Sequence, residues 1–327
     1  MFALTVLGPI STADLGRVYP HEHLLTGPPH GLGEADPDLV LDEPAEIRAE
    51  LELFAQAGGG SIVELTTPDY GRDAAGLVAL SRLTHVHLIA ATGFNKALYS
   101  ADLLRDTKVE ALTDRFIGEI LDGVGDAERP VRCGVIKVGT SLNEVKPTEE
   151  VVLRAAARAH LATGCPITTH TERGTLPERQ LDIFEQEGAP ASSVTIGHLD
   201  FCPDLDVVRR VAARGAYVEF DQVPKPKYAM ESEVIRRITV LSGEGLSDHL
   251  LVSGDFSRKS YFEHWAGGPG FGYLLGPFQE HLADVLTEAG LDAEAIIRQV
   301  FVTNPRRALA FRGPGAARTA AALGWVG

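Results

Sequence analysis

The chain has 327 residues, 44% of them hydrophobic, which is enough to bury a large core. Its formal net charge of -15 argues against a nucleic-acid backbone as partner, because phosphate binding needs clustered Lys and Arg. No segment approaches the ~18 apolar residues of a membrane span, and the N-terminus lacks the basic and apolar regions of a signal peptide. Cys133, Cys165 and Cys202 have no paired spacing and so predict no disulfide framework. The expectation is a cytoplasmic protein in a reducing compartment, with no membrane partner.

In chain order, the first dozen residues read as a small hairpin. Short apolar runs then follow at Arg17–His23, Ser61–Thr66, Val86–Thr92, Val131–Gly139, Ile167–His170, Val194–His198, Ala216–Phe220 and Leu250–Gly254. Between them lie segments of helical period: Glu43–Gln56, Arg72–Leu83, Ala101–Leu121, Thr148–Thr163, Leu176–Glu187, Leu205–Ala213 and Glu231–Leu241. Stop signals such as Ala57-Gly58-Gly59-Gly60, Thr163-Gly164 and Arg214-Gly215 close several of these. After the eighth run come the Gly-rich loop Ala266–Gly272, a helix near Pro277–Ala289 and short C-terminal helices. Strand and helix alternate in the count of a closed (β/α)8 TIM barrel with a short N-terminal hairpin and extra C-terminal helices. No repeat or linker divides residues 1–327, so a single domain is expected. A doubly wound open sheet is the rival architecture, but its Gly-rich turn after the first strand is missing.

In such a barrel, residues at the C-terminal ends of strands face the site. His21 and His23 end the first strand, and their i, i+2 spacing puts both imidazoles on one face. Lys137 ends the fourth strand, His170 the fifth, His198 the sixth and Asp255 the eighth. A second His-x-His, His85 and His87, opens its strand and falls at the opposite face, where a structural role is expected. His30, His160, His249, His264 and His281 lie in predicted loops or helices and are read the same way.

Lys137 is the anomaly, an ammonium inside the apolar run Val135-Ile136-Lys137-Val138. Burying it unpaired is costly. Four imidazoles and one carboxylate are too many donors for one tetrahedral ion and too little charge for two dications. A carbamate formed from Lys137 and CO2 would be an anion with two oxygens, able to bridge two ions ~3.5–4 Å apart. The simpler alternative is a lysine paired to Glu64 or Glu219.

These residues stand in motifs that together resemble the phosphotriesterase family of the amidohydrolase superfamily over nearly the whole chain. The motifs are Gly8-Pro9-Ile10, Tyr19-Pro20-His21-Glu22-His23, Gly71-Arg72-Asp73, Thr92-Gly93-Phe94, Gly134-Val135-Ile136-Lys137, Thr168-Thr169-His170-Thr171, Ile196-Gly197-His198-Leu199-Asp200 and Ser253-Gly254-Asp255. The resemblance implies a (β/α)8 barrel with two divalent ions, commonly zinc, with Mn2+ or Co2+ as alternatives. It assigns His21, His23 and Asp255 to the more buried ion and His170 and His198 to the more exposed one. Carboxylated Lys137 would bridge the two, and Asp255 would also shuttle the proton to the leaving group.

The resemblance covers phosphoester, lactone and amide hydrolases. Cations in the predicted loops, Arg72, Lys96, Lys225, Arg258 and Lys259, with Tyr99 beside them, are candidate substrate-binding residues and point to a small anionic substrate. The Arg258-Lys259 loop and the glycines after it are more similar to the sugar-lactonase branch. The expectation is therefore a lactonase for a polar or phosphorylated sugar lactone, with a homodimer common among such proteins. An amide or phosphoester hydrolase using the same centre is the alternative, and a non-enzymatic metal-binding protein the remote one.

Overall fold

A computed structural model describes residues 1–29 and 31–326; His30 lies outside the described residues. Two short strands, β1 (Phe2–Thr5) and β2 (Gly8–Ser11), form the antiparallel N-terminal hairpin. The next eight, β3 (Arg17–Glu22), β4 (Gly59–Glu64), β5 (His87–Gly93), β6 (Val135–Thr140), β7 (Ile167–Thr171), β8 (Val194–Ile196), β9 (Tyr217–Phe220) and β10 (Leu250–Val252), lie in sequential order in one parallel sheet. Each is buried on both faces over most of its length, which is why they read as unbroken apolar runs rather than alternating ones.

The sheet curls into a barrel whose last seam is not a backbone ladder. Between β10 and β3, the His21 N–H donates to Ser253 Oγ (3.0 Å) and the Asp255 N–H donates to the His21 carbonyl (3.0 Å). Glu22, buried at the seam, accepts from Ser253 Oγ (2.8 Å), Gly254 N–H (2.7 Å) and Phe256 N–H (2.7 Å). Helices pack outside, and the hairpin covers the N-terminal end, where Val6 N–H reaches the Leu88 carbonyl (2.8 Å). Further helices follow β10 to the C-terminus. Among the described residues, no helix is long and apolar enough to cross a membrane.

Three expectations need correction. The predicted helix Ala101–Leu121 is two helices, Ala97–Leu104 and Val109–Leu121. The first covers the cleft with Leu98 and Tyr99, while the second packs outside β5 and against the helix Pro147–Thr163. The fourth predicted strand starts at Val135 rather than Val131, because Val131 pairs with Val124 in a separate bridge. Finally, β8 and β10 stop before His198 and Asp255, which lie just beyond them at φ +61° and +45°.

Candidate metal centre

Lys137 sits on β6, in register with Gly93 on β5 and Thr168 on β7, and is 1% exposed. Gly93 has φ +109°, and a Cβ there would collide with the Lys137 carbonyl, so glycine is required for the strands to approach this closely. Lys137 Nζ lies 3.0 Å from His21 Nε2. Glu64 is not its partner, since that carboxylate accepts from the backbone of Leu24 and Thr66. Glu219 instead approaches His21 Nδ1, at 3.1 Å. Burial lowers the Lys137 ammonium to about 8, so a neutral amine is accessible near physiological pH.

The four histidines arrive in two pairs. His21 and His23 lie at the end of β3, and His23 Nε2 is 3.4 Å from Asp255 Oδ1. His170 lies on β7, with its Nδ1 2.7 Å from His198 Nε2. Burial lowers His21 and His170 to about 3 and also lowers His23, so these three rings are neutral at pH 7. Neutral imidazole is the ligating form.

The opposite ring nitrogens are already engaged. Asp221, just past β9, takes His21 Nδ1 on one oxygen (3.0 Å) and His198 Nδ1 on the other (2.7 Å). Burial acts to raise Asp221, but His198 and His21 outweigh it and hold the carboxyl well below its usual range. Glu219 beside it is pushed well above by burial and by the Asp221 charge. His23 Nδ1 is 2.8 Å from Thr66 Oγ1, and His170 Nε2 is 3.0 Å from Glu172 Oε2, which also pairs with Lys96. With those sides occupied, His21, His23 and His198 present Nε2 inward and His170 presents Nδ1, the arrangement expected of orienting groups behind metal ligands. His21, His198 and Asp221 also cluster as possible donors, but Asp221 faces the outer ring nitrogens and therefore orients the rings.

Asp255 is divided in the same way. Gln222 Nε2 (3.0 Å) and Lys225 Nζ (3.3 Å) donate to Oδ2, and Lys225 also reaches the Asp255 carbonyl (2.8 Å). Oδ1 is left facing His23 and His21. Burial acts to raise Asp255, but Lys225 and the neighbouring histidines hold it well below the usual range. The left-handed backbone at His198 and Asp255 costs about 1–3 kcal/mol each for residues other than glycine. It is held by the Asp221 carboxylate on His198 N–H (3.0 Å) and by the His21 carbonyl on Asp255 N–H (3.0 Å). This donor set fits a divalent metal: inward-facing nitrogens, one carboxylate oxygen and a buried lysine amine meet on one floor.

Above it is a cleft of about 660 Å³, within the usual range for small-molecule sites. Of the residues expected to bind substrate, Lys96, Tyr99 and Arg258 line it. The structure places the other three elsewhere. Arg72 is buried, donating to Glu119 Oε2 (2.7 Å) and the Ala91 carbonyl (2.7 Å). Lys225 is buried against Asp255. Lys259 faces Asp42 (3.3 Å) and the Trp265 ring. Arg258 is tied to Asp36 (2.8 Å) and Asp38 (3.3 Å), and Lys96 to Glu172. Arg173 and Lys227 line the cleft with no carboxylate partner among the described residues.

Sequence reasoning missed Asp221, Gln222, Glu172 and Arg173. Asp221 and Gln222 follow β9 directly, so the same strand-end rule would have found them. His85 caps a helix at φ +60° and His87 opens β5, away from the site as expected.

The phosphotriesterase family model matches residues 2–309. A crystal structure of a lactonase from Listeria monocytogenes superposes with a TM-score of 0.91 at 34% identity, covering 96% of this chain and 100% of that one. The N-acetyltaurine hydrolase of Rattus norvegicus is 31% identical, over 94% of this chain and 97% of that one. A phospho-furanose lactonase of Mycoplasmopsis synoviae (strain 53) is 29% identical, over 95% and 92% respectively.

Proposed function

The chain belongs to the phosphotriesterase family, and from that premise we propose a binuclear metal-dependent hydrolase that opens a polar or phosphorylated sugar lactone. The observation that carries the reading is the convergence of His21, His23, Lys137, His170, His198 and Asp255 on one cleft floor, with the outer nitrogens of all four rings engaged. His21, His23 and Asp255 would hold one ion, and His170 and His198 the other. Lys137 would join them once its neutral amine attacks CO2, forming a C–N bond and losing a proton to solvent. When bound, the ions, Zn2+ in this reading, supply a water of lowered pKa and a Lewis acid for the substrate oxygen.

The chain's own residues do the rest. Asp221, Thr66 and Glu172 keep each ring turned to the floor. Gln222 and Lys225 hold Asp255 Oδ2, so that Oδ1 can take a proton and pass it to the leaving oxygen. At the mouth, Arg173 and Lys227 offer uncompensated charge to an anionic group, and Tyr99 packs edge-on against Tyr70 to form an apolar wall.

A second reading is supported by the similarity to an N-acetyltaurine hydrolase: an amide bearing an anionic group would use the same floor and the same two cations. Turnover of aldono-1,4-lactones with and without a terminal phosphate, measured beside N-acyl amino sulfonates, separates the two. Lactone opening is expected to dominate, with phosphate improving KM. Amide cleavage without lactone opening would sink the lactonase reading. Metal analysis after metal-replete expression should give two ions per chain.

A further inference from the structure

A second cavity, of about 750 Å³, lies at the other end of the barrel. Arg17 lines it at the start of β3, the end opposite His21 and His23. Arg298 and Arg306 join it from the C-terminal helices, with Gln279, Thr303 and Glu294. None of the three guanidinium groups makes an ion pair within 4.0 Å among the described residues, although Glu294 stands one helical turn from Arg298. In a chain with 45 acidic side chains against 30 basic ones, three unpaired arginines around one cavity call for an external partner.

Two further observations point the same way. Arg306 Nε and Gln279 Oε1 are buried with no hydrogen-bond partner, and both residues line the cavity. An orphaned guanidinium N–H asks for an anionic oxygen, and this shielded atom meets one when the side chain turns into the cavity it lines. An orphaned amide atom, whichever way the amide is turned, is met by a hydroxyl, which both donates and accepts. The cavity is also bordered by two π-helical turns, Leu274–Phe278 before Gln279 and Gln299–Thr303 between Arg298 and Arg306. Such turns recur at functional sites because they give up regular helical hydrogen bonding.

We infer that this cavity is a second binding site, for a small polyhydroxylated anion such as a sugar acid or sugar phosphate, with the arginines on the anionic group and Gln279 and Thr303 on hydroxyls. The site is separate from the metal centre and does not depend on the reaction proposed there. Isothermal titration of the metal-loaded protein with D-gluconate, 6-phosphogluconate and inorganic phosphate tests it, together with a crystal soaked in the tighter ligand.

At least one hydroxylated anion is expected to bind more tightly than inorganic phosphate, with density between Arg17 and Arg306. Whether gluconate or 6-phosphogluconate binds more tightly distinguishes a sugar acid from a sugar phosphate. Arg298→Gln, at an exposed position, and Arg306→Gln should each weaken that binding by about tenfold or more, the scale of a lost charge-assisted hydrogen bond. Lactone or amide turnover in Arg298→Gln should stay unchanged, which also shows that the variant is folded. Binding unaffected by either substitution, density at the metal centre alone, or equal affinity for inorganic phosphate would each overturn the assignment.

Discussion

Asp221 shows how much of the centre rests on a residue that need touch no ion. Its two oxygens hold His21 and His198, which are assigned to different ions, so one carboxylate sets the rotation of a ring on each side. Asp221→Asn would keep the size but leave one ring facing an amide N–H. Metal affinity is expected to fall by about 10–100-fold, the usual cost of removing a group that orients a ligand. Competition with a chelator measures this, and unchanged affinity at both positions would contradict the orienting role. Arg72 teaches the converse. As a cation in a predicted loop it read as a substrate ligand, but burial and Glu119 make it structural. Arg72→Ala should cost about 1–3 kcal/mol by removing one charged donor from the Glu119 carboxylate, which keeps Arg115 and Thr92, while kcat/KM of the folded fraction is unchanged. The pH dependence has a definite sign. Burial acts to raise Glu119, but Arg72 and its other donors outweigh that and hold the folded value low. Its contribution is therefore complete above the unfolded carboxyl value of about 4.3 and is lost as pH falls through the lower folded value. The urea-midpoint gap between the wild-type protein and Glu119→Gln should be flat from about pH 8 to 5 and narrow below about 4.3; a gap that changes at higher pH would refute the assignment.

At the scale of elements, the barrel was legible because a parallel strand buried on both faces leaves an apolar run, while each covering helix leaves a 3.6-residue period. Strand-end position then selected the residues that meet on the cleft floor, and no conformational detail was needed for that. Three features left no such trace. The break at Arg105–Lys108 lacks glycine or proline, and Leu104 and Leu112 on either side keep an i, i+8 spacing, so two helices read as one. The left-handed turns at His198 and Asp255 occur at residues other than glycine, and contacts from Asp221, His21 and Lys225 hold them. The seam between β10 and β3 depends on a buried Glu22 that looks, in sequence, like a polar spacer between two ligands. Glu22→Gln would place an amide N–H against at least one of three donors. Burial raises the Glu22 carboxyl to about 8, so the expected loss is about 1–3 kcal/mol, the cost of leaving a buried donor unsatisfied rather than of breaking a bond to a charge. Thermal denaturation measures it, and a variant melting within a degree of wild type would mean that the seam does not depend on this carboxylate.

At the scale of the whole molecule, the proposed centre draws donors from the ends of β3 and β7, from within β6 and from the turns after β8 and β10, residues that span positions 21 to 255. The unfolded chain cannot gather them, so ions that bind this floor bind the native state and stabilise it by mass action. At a thousandfold excess over Kd the gain is about 4 kcal/mol per ion. The His170 and His198 rings approach to 2.7 Å and the Lys137 amine is buried beside the site, so removing metal would forfeit binding energy and leave a buried amine without it. The net charge of -15 favours the cations over any anionic substrate, which must rely on the local charge of Arg173 and Lys227. Chelation is therefore expected to lower Tm by several degrees, in proportion to the two ions lost, and added Zn2+ with bicarbonate should restore it. Zn2+ with bicarbonate excluded should restore less if Lys137 must take up CO2 to complete the donor set. A chelated protein melting at the holoenzyme temperature would show that the donors form a self-sufficient polar core, and the two-metal reading would fall.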